Sequence, residues 1–417
     1  MTATMNPSAA DPLEGLDLIA EFEKDMGANL ADPHAVYDQV RAEHPIYTGD
    51  LLTERLGLTN STLSFWEGQP YTVLGYAAAN DVLRDAEHFS NTVYARTVGK
   101  THGRNILNID DPEHLLHRKI IQKAFNRKAM DGWRVEFMEP EVQRVLDTMV
   151  DRGRGELMSD FALRFPVSVV HHILGLRPEQ MDTLQNLAAG LLLYRTRPEI
   201  AMLCSERLGS MLMEYIDERR QTLSEDFIGT LMNTRMENGE CFTDEEMISF
   251  LRILLPAGGE TTARTIGSMF AYLTGDPDLL ATVRANRDLI RPVIEETLRL
   301  EPPTQYVYRL CVEDTQVAGK QIKAGSPIAV SLSAANRDPA AFTDPPAFKL
   351  DRGTAHLSFG HGVHLCLGMH LARMEASTAL SGFLDRMPRL RRDDTQPAPN
   401  ISGIAFRSPA TVPLVWD

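Results

Sequence analysis

Apolar residues recur at helical spacing over most of the chain, and strict alternation is confined to short stretches. Residues 70–90 read as a short strand and then a helix, with Ala77, Val82 and Leu83 expected on its inward face. From 112 to 250 the pattern is mostly helical, punctuated by Pro140, Gly153, Gly155, Pro166, Gly175, Pro178 and Pro198. Thr243 followed three residues later by Glu246 forms a capping box, so a helix starts there. Its apolar pattern runs to about Leu273 and stops at Gly275-Asp276-Pro277, which predicts ~30 residues and ~45 Å at 1.5 Å per residue. Residues 305–333 alternate as short strands, with turns at Gly319 and Gly325. The stretch 336–365, rich in Pro, Gly, Asp and His, predicts irregular chain, and a last long helix is expected from about Leu367 to Met387. The fold class that follows is mainly α with a minor β-sheet region. The expected organisation is a flexible acidic lead-in over 1–30 and one large domain over 31–417. The stretch 48–70 matches no recognisable pattern.

Charge narrows the functions. The chain carries 57 acidic and 42 basic residues, a net charge of −15, which argues against nucleic acid as the main partner. The longest apolar run, Leu187 to Tyr194, suits a core helix and falls well short of a membrane span. The N-terminus has neither the basic nor the apolar segment of a secretory signal. Cys204, Cys241, Cys311 and Cys366 are scattered without a Cys-x-x-Cys pair, against a disulfide framework or a structural zinc site. A cytoplasmic monomer is the expectation.

The segment Phe359-Gly-His-Gly362-Val-His364-Leu-Cys366-Leu-Gly368 immediately precedes the last helix. Cys366 would therefore sit at a helix N-terminus, where the dipole and free amides lower a thiol pKa. Gly362 and Gly368 permit close backbone approach, and Phe359 can cover the sulfur. An isolated buried cysteine is ordinarily a small hydrophobe, but here Phe, two Gly, His and Cys stand at fixed spacing. The segment resembles the haem-binding signature of the cytochrome P450 family, Phe-x-x-Gly-x-His/Arg-x-Cys-x-Gly, and every fixed position matches. The resemblance implies that Cys366 is the axial thiolate of haem b (iron protoporphyrin IX), a ligand that favours O–O cleavage. It also implies that His364 meets a haem propionate.

Other segments carry the same resemblance, which covers roughly residues 30–417. Glu296-Thr-Leu-Arg299 puts two opposite charges on one helix face; in the family such a pair is buried, and Arg352 matches its third member, so a structural role is implied for all three. His114 and Arg118, four apart, face one way and can grip an anion together; the family uses these positions, and the strand arginine matched by Arg309, for propionates. In the long helix, Pro256, Gly258 and Gly259 fall within one turn, each Gly costing ~1 kcal/mol and an interior Pro ~3 kcal/mol. That weakness predicts a local opening at a functional site, and Thr261 can turn its hydroxyl to the carbonyl of Ala257. The run Ala257-Gly258-Gly259-Glu260-Thr261 resembles the family's oxygen-activation segment. Ala257 and Gly258 would then lie against the haem, with Glu260 as acid and Thr261 as alcohol in a proton relay. Pro256 departs from the aliphatic residue of the family pattern, which bears on pocket shape rather than on chemistry.

The implied activity is O₂-dependent hydroxylation, or oxidative dealkylation, of an apolar small molecule, with electrons from a ferredoxin, its reductase and NAD(P)H. Arg118, Lys119, Lys123, Arg127 and Lys128 put five bases and no acid into eleven residues, the expected docking face for an acidic ferredoxin. Two alternatives stand beside this: a peroxide-driven peroxygenase and a haem-based gas or redox sensor. The Glu260–Thr261 pair argues against the first, since peroxide brings its own protons; a sensor needs neither relay nor apolar pocket. By family topology the substrate pocket is expected along 89–108, 187–200, 302–308 and 401–406, with Phe89, Val93, Leu191, Leu192, Val307, Ile404 and Phe406 lining it. Arg195 and Arg197 are expected at the surface rather than on a substrate carboxylate.

Overall fold

The capping box at Thr243 starts one unbroken helix, Asp244–Gly275, of 32 residues, about 48 Å long. Both halves of the box are made: Thr243 Oγ1 accepts from the Glu246 amide at 3.3 Å, and Glu246 Oε2 accepts from the Thr243 amide at 2.8 Å. Around this central helix pack Phe165–Leu174, Pro198–Gln221, Ile290–Leu300 and Met369–Arg386. Phe161, Phe165, Phe270 and Phe383 meet ring to ring at centroid distances of 4.9–5.1 Å where the central and last helices cross. The structure, a computed structural model, describes residues 11–25, 32–58, 61–222, 226–237 and 239–416.

The local opening expected at Pro256–Gly259 is not there. Helix runs straight through it, and the glycines serve packing instead. A Cβ on Gly258 would lie 2.6 Å from Val170 Cγ2, and one on Gly259 would lie 2.7 Å from Val167 Cγ2. The two glycines let the helix Phe165–Leu174 approach closely, and that contact offsets their poor helix propensity.

The minor sheet has five strands in the order Ile46–Thr48, Tyr71–Val73, Pro327–Ser331, Tyr306–Cys311, Phe89–Ser90. Pro327–Ser331 and Tyr306–Cys311 pair antiparallel, with Val307 opposite Val330 and Arg309 opposite Ile328. Alternation along Tyr306–Cys311 sends Val307 and Arg309 to one face and Tyr306 and Tyr308 to the other. The turns at Gly319 and Gly325 have φ of +79° and +84°, as glycine allows. The strand and helix expected in 70–90 are present, but Ala77 is exposed; Ala78 and Ala79 join Val82 and Leu83 in the core. The unplaced stretch 48–70 packs on the turn 91–96: Trp66 Nε1 donates to Val93 O at 3.2 Å, and Arg96 covers the Trp66 ring at 4.1 Å.

The flexible lead-in expected over 1–30 is corrected where it is described. Leu18–Asp25 is a helix with Leu18 and Phe22 buried in the main core. Its amide at Leu18 donates to Asn186 Oδ1 at 2.9 Å. Four acidic residues of the lead-in meet an arginine: Asp11 with Arg207, Glu21 with Arg197, Glu23 with Arg264, and Asp25 with Arg195. Arg195 is accordingly buried rather than superficial. Residues 1–10 and 26–31 lie outside the described residues.

Candidate active site

A cavity of about 370 Å³ opens between the central helix, the strand Tyr306–Cys311, the cysteine loop and the helix Glu113–Ala124. Cys366, Phe359, His364, Gly368, His114, Arg118, Arg309, Ala257, Gly258 and Thr261 all line it. Residues from four distant stretches of sequence are thus brought to one cavity.

The loop holds its sulfur by backbone geometry. Cys366 N donates to Phe359 O at 2.9 Å, closing the turn. Gly362 has φ of +74°, and a Cβ there would lie 2.4 Å from Leu83 O, so this glycine fits the loop against the helix Tyr76–Arg84. At Gly368 a Cβ would meet no protein atom within 4 Å; the space beside it belongs to the cavity. Cys366 is exposed to this cavity. The amides of Gly368 and Met369 and the guanidinium groups of Arg118 and Arg373 favour its thiolate, as expected, yet desolvation prevails and the thiol pKa is raised. The lowered pKa expected from the helix end alone is therefore corrected; a metal ion bound at the sulfur is what removes such a proton outright.

Among the described residues no carboxylate lines this cavity. Arg309 is buried and lies within salt-bridge distance of no carboxylate among the described residues; its Nη1 donates only to Tyr308 O, at 2.8 Å. His114 Nδ1 lies 3.1 Å from Asp111 Oδ1, while its buried Nε2 has no partner. The His114 and His364 rings sit 4.1 Å apart. Burial, together with His114, Arg309 and Arg118, pushes the His364 pKa down to about 2. Arg118 turns one nitrogen onto the cysteine loop, Nη2 to Leu365 O at 2.7 Å, so it does not act on an anion with His114 alone. An electropositive, half-satisfied wall sharing one cavity with a sulfur and a glycine-relieved space fits a flat dianionic macrocycle with a metal at its centre.

Glu260 departs from expectation. It does not line the cavity; its carboxylate is held by Arg264 at 2.5 Å. Neighbours on a helix point ~100° apart, so Thr261 faces the cavity while Glu260 faces the side. Thr261 Oγ1 donates to Ala257 O at 2.9 Å, as the sequence implied. Arg264 is buried, shares itself with Glu23, and lies over the Phe406 ring at 5.4 Å. Burial raises the Glu23 pKa despite Arg264.

The Glu296 pair is the buried lock the resemblance implied. Arg299 makes two 2.7 Å bonds to Glu296, and Arg352 Nε adds a third at 2.7 Å. Arg299 Nη1 reaches the carbonyls of Asn336 and Pro345, both at 2.9 Å. Asn336 in turn binds Leu357 N at 2.7 Å and Ser358 Oγ at 2.8 Å, one residue from Phe359. Sequence reasoning missed a second brace: Arg373 covers Phe359 at 4.4 Å and forks onto Glu295 at 2.7 and 2.8 Å. The doubled Glu295-Glu296 and an arginine seven residues past Cys366 were the available signal.

Of the pocket residues expected from topology, Val307 lines the cavity. Phe89, Val93, Leu191 and Ile404 are buried in core packing, and Phe406 faces Phe22 at 5.6 Å; Leu192 is partly buried against the main core. The apolar wall is made instead by Ile106, Leu107, Phe250, Ile253, Leu254 and Val307. No helix of the described residues is long and apolar enough to cross a membrane.

Fold and cavity together define a helical protein built to carry a thiolate-ligated haem. The Cytochrome P450 family model matches residues 167–410. The chain is 32% identical to the cytochrome P450 monooxygenase PikC of Streptomyces venezuelae over 93% of its length and 91% of that protein. It is 33% identical to the biotin biosynthesis cytochrome P450 of Bacillus subtilis, covering 88% of this chain and 91% of the relative. The solved myxobacterial cytochrome CYP267B1 in complex with myristic acid superposes with a TM-score of 0.82 at 28% identity, over 95% of this chain and 99% of that one. The chain belongs to the cytochrome P450 family, is a cytochrome P450 monooxygenase, and uses haem as its cofactor.

Proposed function

We propose that this monooxygenase hydroxylates, or oxidatively dealkylates, an apolar small organic molecule, with Cys366 as the axial haem ligand. His114, Arg118, Arg309 and His364 hold the propionates, and Phe359, Gly368, Ala257 and Gly258 bound the ring. The observation that carries this is one cavity shared by the sulfur, the uncompensated cations and the Thr261 hydroxyl. Haem, when bound, supplies oxygen activation; the protein supplies position, electrostatics and dryness. The apolar wall favours a substrate without charge near the reacting carbon, in keeping with the myristic acid held by the myxobacterial relative.

Proton delivery falls to Thr261 and Glu260. Thr261 offers its hydroxyl from within the cavity and accepts a replacement proton from the side. Glu260 leaves Arg264, takes up a proton from solvent, and hands it to Thr261 as it turns toward the cavity. Glu23 remains on Arg264, so the guanidinium keeps a counter-ion when Glu260 leaves.

Electrons come from an acidic ferredoxin on the basic helix. Arg118 lines the haem cavity with one nitrogen on Leu365, Lys119 pairs with Glu237 at 2.7 Å, and Arg127 lies 3.7 Å from Asp131. Lys123 and Lys128, within salt-bridge distance of no carboxylate among the described residues, are the cations left to steer it. Lys123→Glu with Lys128→Glu should slow reduction and flatten its salt dependence; unchanged kinetics would discard this face.

The deciding experiment is spectroscopic. The reduced carbon monoxide complex should show the red-shifted Soret band of thiolate ligation, and Cys366→Ser should abolish it. Retention of the band in that variant would refute the ligand assignment. Oxygen uptake in a ferredoxin system, compared with peroxide alone, separates the monooxygenase cycle from the peroxide-driven one.

A further inference from the structure

We infer that Glu113, His117 and Glu246 form a binding site for a divalent cation of the zinc type, separate from the haem cavity. None of the three lines that cavity. Glu113 and His117 stand one turn apart at the start of the helix Glu113–Ala124, and Glu246 is in the first turn of the central helix. One donor atom from each falls within 4.8 Å of the other two.

The histidine lifts this above a patch of acids. Its side chain is only 6% exposed, and Nε2 points into the gap, 3.4 Å from Glu246 Oε1 and 4.0 Å from Glu113 Oε1. Both separations exceed the ~2.7–3.2 Å of a formed N–H···O bond. The Phe242 ring meets His117 edge-on at 4.8 Å and fixes its plane. The two carboxylates are about one-third exposed, at 31% and 29%, and leave an approach from solvent.

Each existing contact permits the change. A zinc-type ion takes nitrogen and oxygen donors at ~2.0–2.2 Å, so the three must draw together by about an ångström. Glu113 is the mobile member: it now pairs with Arg104, whose side chain is 67% exposed and can return to water. An exposed pair of this kind is worth little. Glu246 offers Oε1 while Oε2 stays on the Thr243 amide at 2.8 Å, so helix capping survives. One nitrogen and two carboxylates neutralise a dication, and water completes the shell. Such an ion would clamp the turn preceding Arg118 to the start of the helix that carries Thr261.

The test uses purified holoprotein, in which haem is retained, titrated with Zn²⁺ alone by calorimetry and by competition with a chromophoric chelator. One saturable equivalent is expected, with a rise in melting temperature and no change in the Soret band. His117→Gln and Glu113→Gln should each weaken binding at least about tenfold. Glu246→Gln keeps the cap and should weaken binding likewise, and circular dichroism confirms that each variant folds. Cys241→Ser, altering the nearby partly exposed thiol, should leave binding unchanged. No saturable uptake, uptake that survives both His117→Gln and Glu246→Gln, or uptake lost only in Cys241→Ser would overturn the assignment. Because the Soret band is read in parallel, failure here is distinguishable from failure of the haem assignment.

Discussion

Arg299→Lys keeps the charge beside Glu296 and removes the fork. Arg299 now donates five bonds: two to Glu296 at 2.7 Å, one each to Asn336 O and Pro345 O at 2.9 Å, and one to Ala347 O at 3.1 Å. A lysine ammonium has three donors on one atom and cannot span these directions. If it stays on Glu296, the carbonyls of Asn336 and Pro345 lose their donor. Ala347 O keeps a 2.7 Å bond from Arg352. The Asn336 carbonyl, stripped of its partner in a buried site, costs ~1–3 kcal/mol, and the part-buried Pro345 carbonyl less. The expected loss is therefore about 1–4 kcal/mol. Urea unfolding followed by circular dichroism would show a lower midpoint at unchanged slope. Because Asn336 also anchors Leu357 and Ser358, haem transfer to apomyoglobin should quicken as well. A loss under ~1 kcal/mol, the size of an exposed ion pair, would refute the view that these bonds lock the cysteine loop.

Gly259→Ala gains ~1 kcal/mol in helix propensity but drives a methyl into Val167, 2.7 Å away, at ~1–3 kcal/mol; net destabilisation is expected, and Val167→Ala in the same chain should relieve it. If Gly259→Ala alone raises the melting temperature, the packing account fails. Burial pushes His102 and His171 down to about 4, below the ordinary histidine value of 6.5. Unfolded chain then binds more protons than folded chain between these values, so their contribution is full above pH 6.5 and is lost as pH falls toward 4. Urea midpoints of the apoprotein should drop over that range, and His171→Leu should shallow the slope; a flat profile would contradict the burial reading. Thr261→Ala should leave haem bound but divert reducing equivalents to hydrogen peroxide, and full coupling of NAD(P)H to product would remove Thr261 from proton delivery.

What could be read in advance rested on local spacing. The capping box, the cysteine loop and Glu296-x-x-Arg299 put their partners within a turn or a tight loop, so residue order nearly dictates geometry. The Thr261 hydroxyl bond to Ala257 follows for the same reason. Long-range choices were hidden. Glu260 shares Arg264 with Glu23, which arrives from the first described helix, and no local pattern encodes that meeting. The glycines at 258 and 259 look like a weakness until Val167 and Val170 are set against them. Ala77 and Ala78 differ by one position on an amphipathic helix, and only the sheet beneath decides which is covered. The cavity wall is illegible for a similar reason: Leu191 and Ile404 are apolar and in the expected segments, yet apolarity alone does not separate a residue facing a cavity from one facing the core.

The helix Leu18–Asp25 also has a practical meaning for anyone shortening this protein. Trimming the chain at residue 30, as an unstructured leader would invite, would delete Leu18 and Phe22 from the interior and bare the apolar seat beside Gly190, where an added Cβ would already lie 2.8 Å from Leu18 Cδ1. It would also strip Arg195, Arg197 and Arg264 of one carboxylate apiece. Tags and fusion partners are therefore better joined ahead of Asp11, with the segment that follows it left whole.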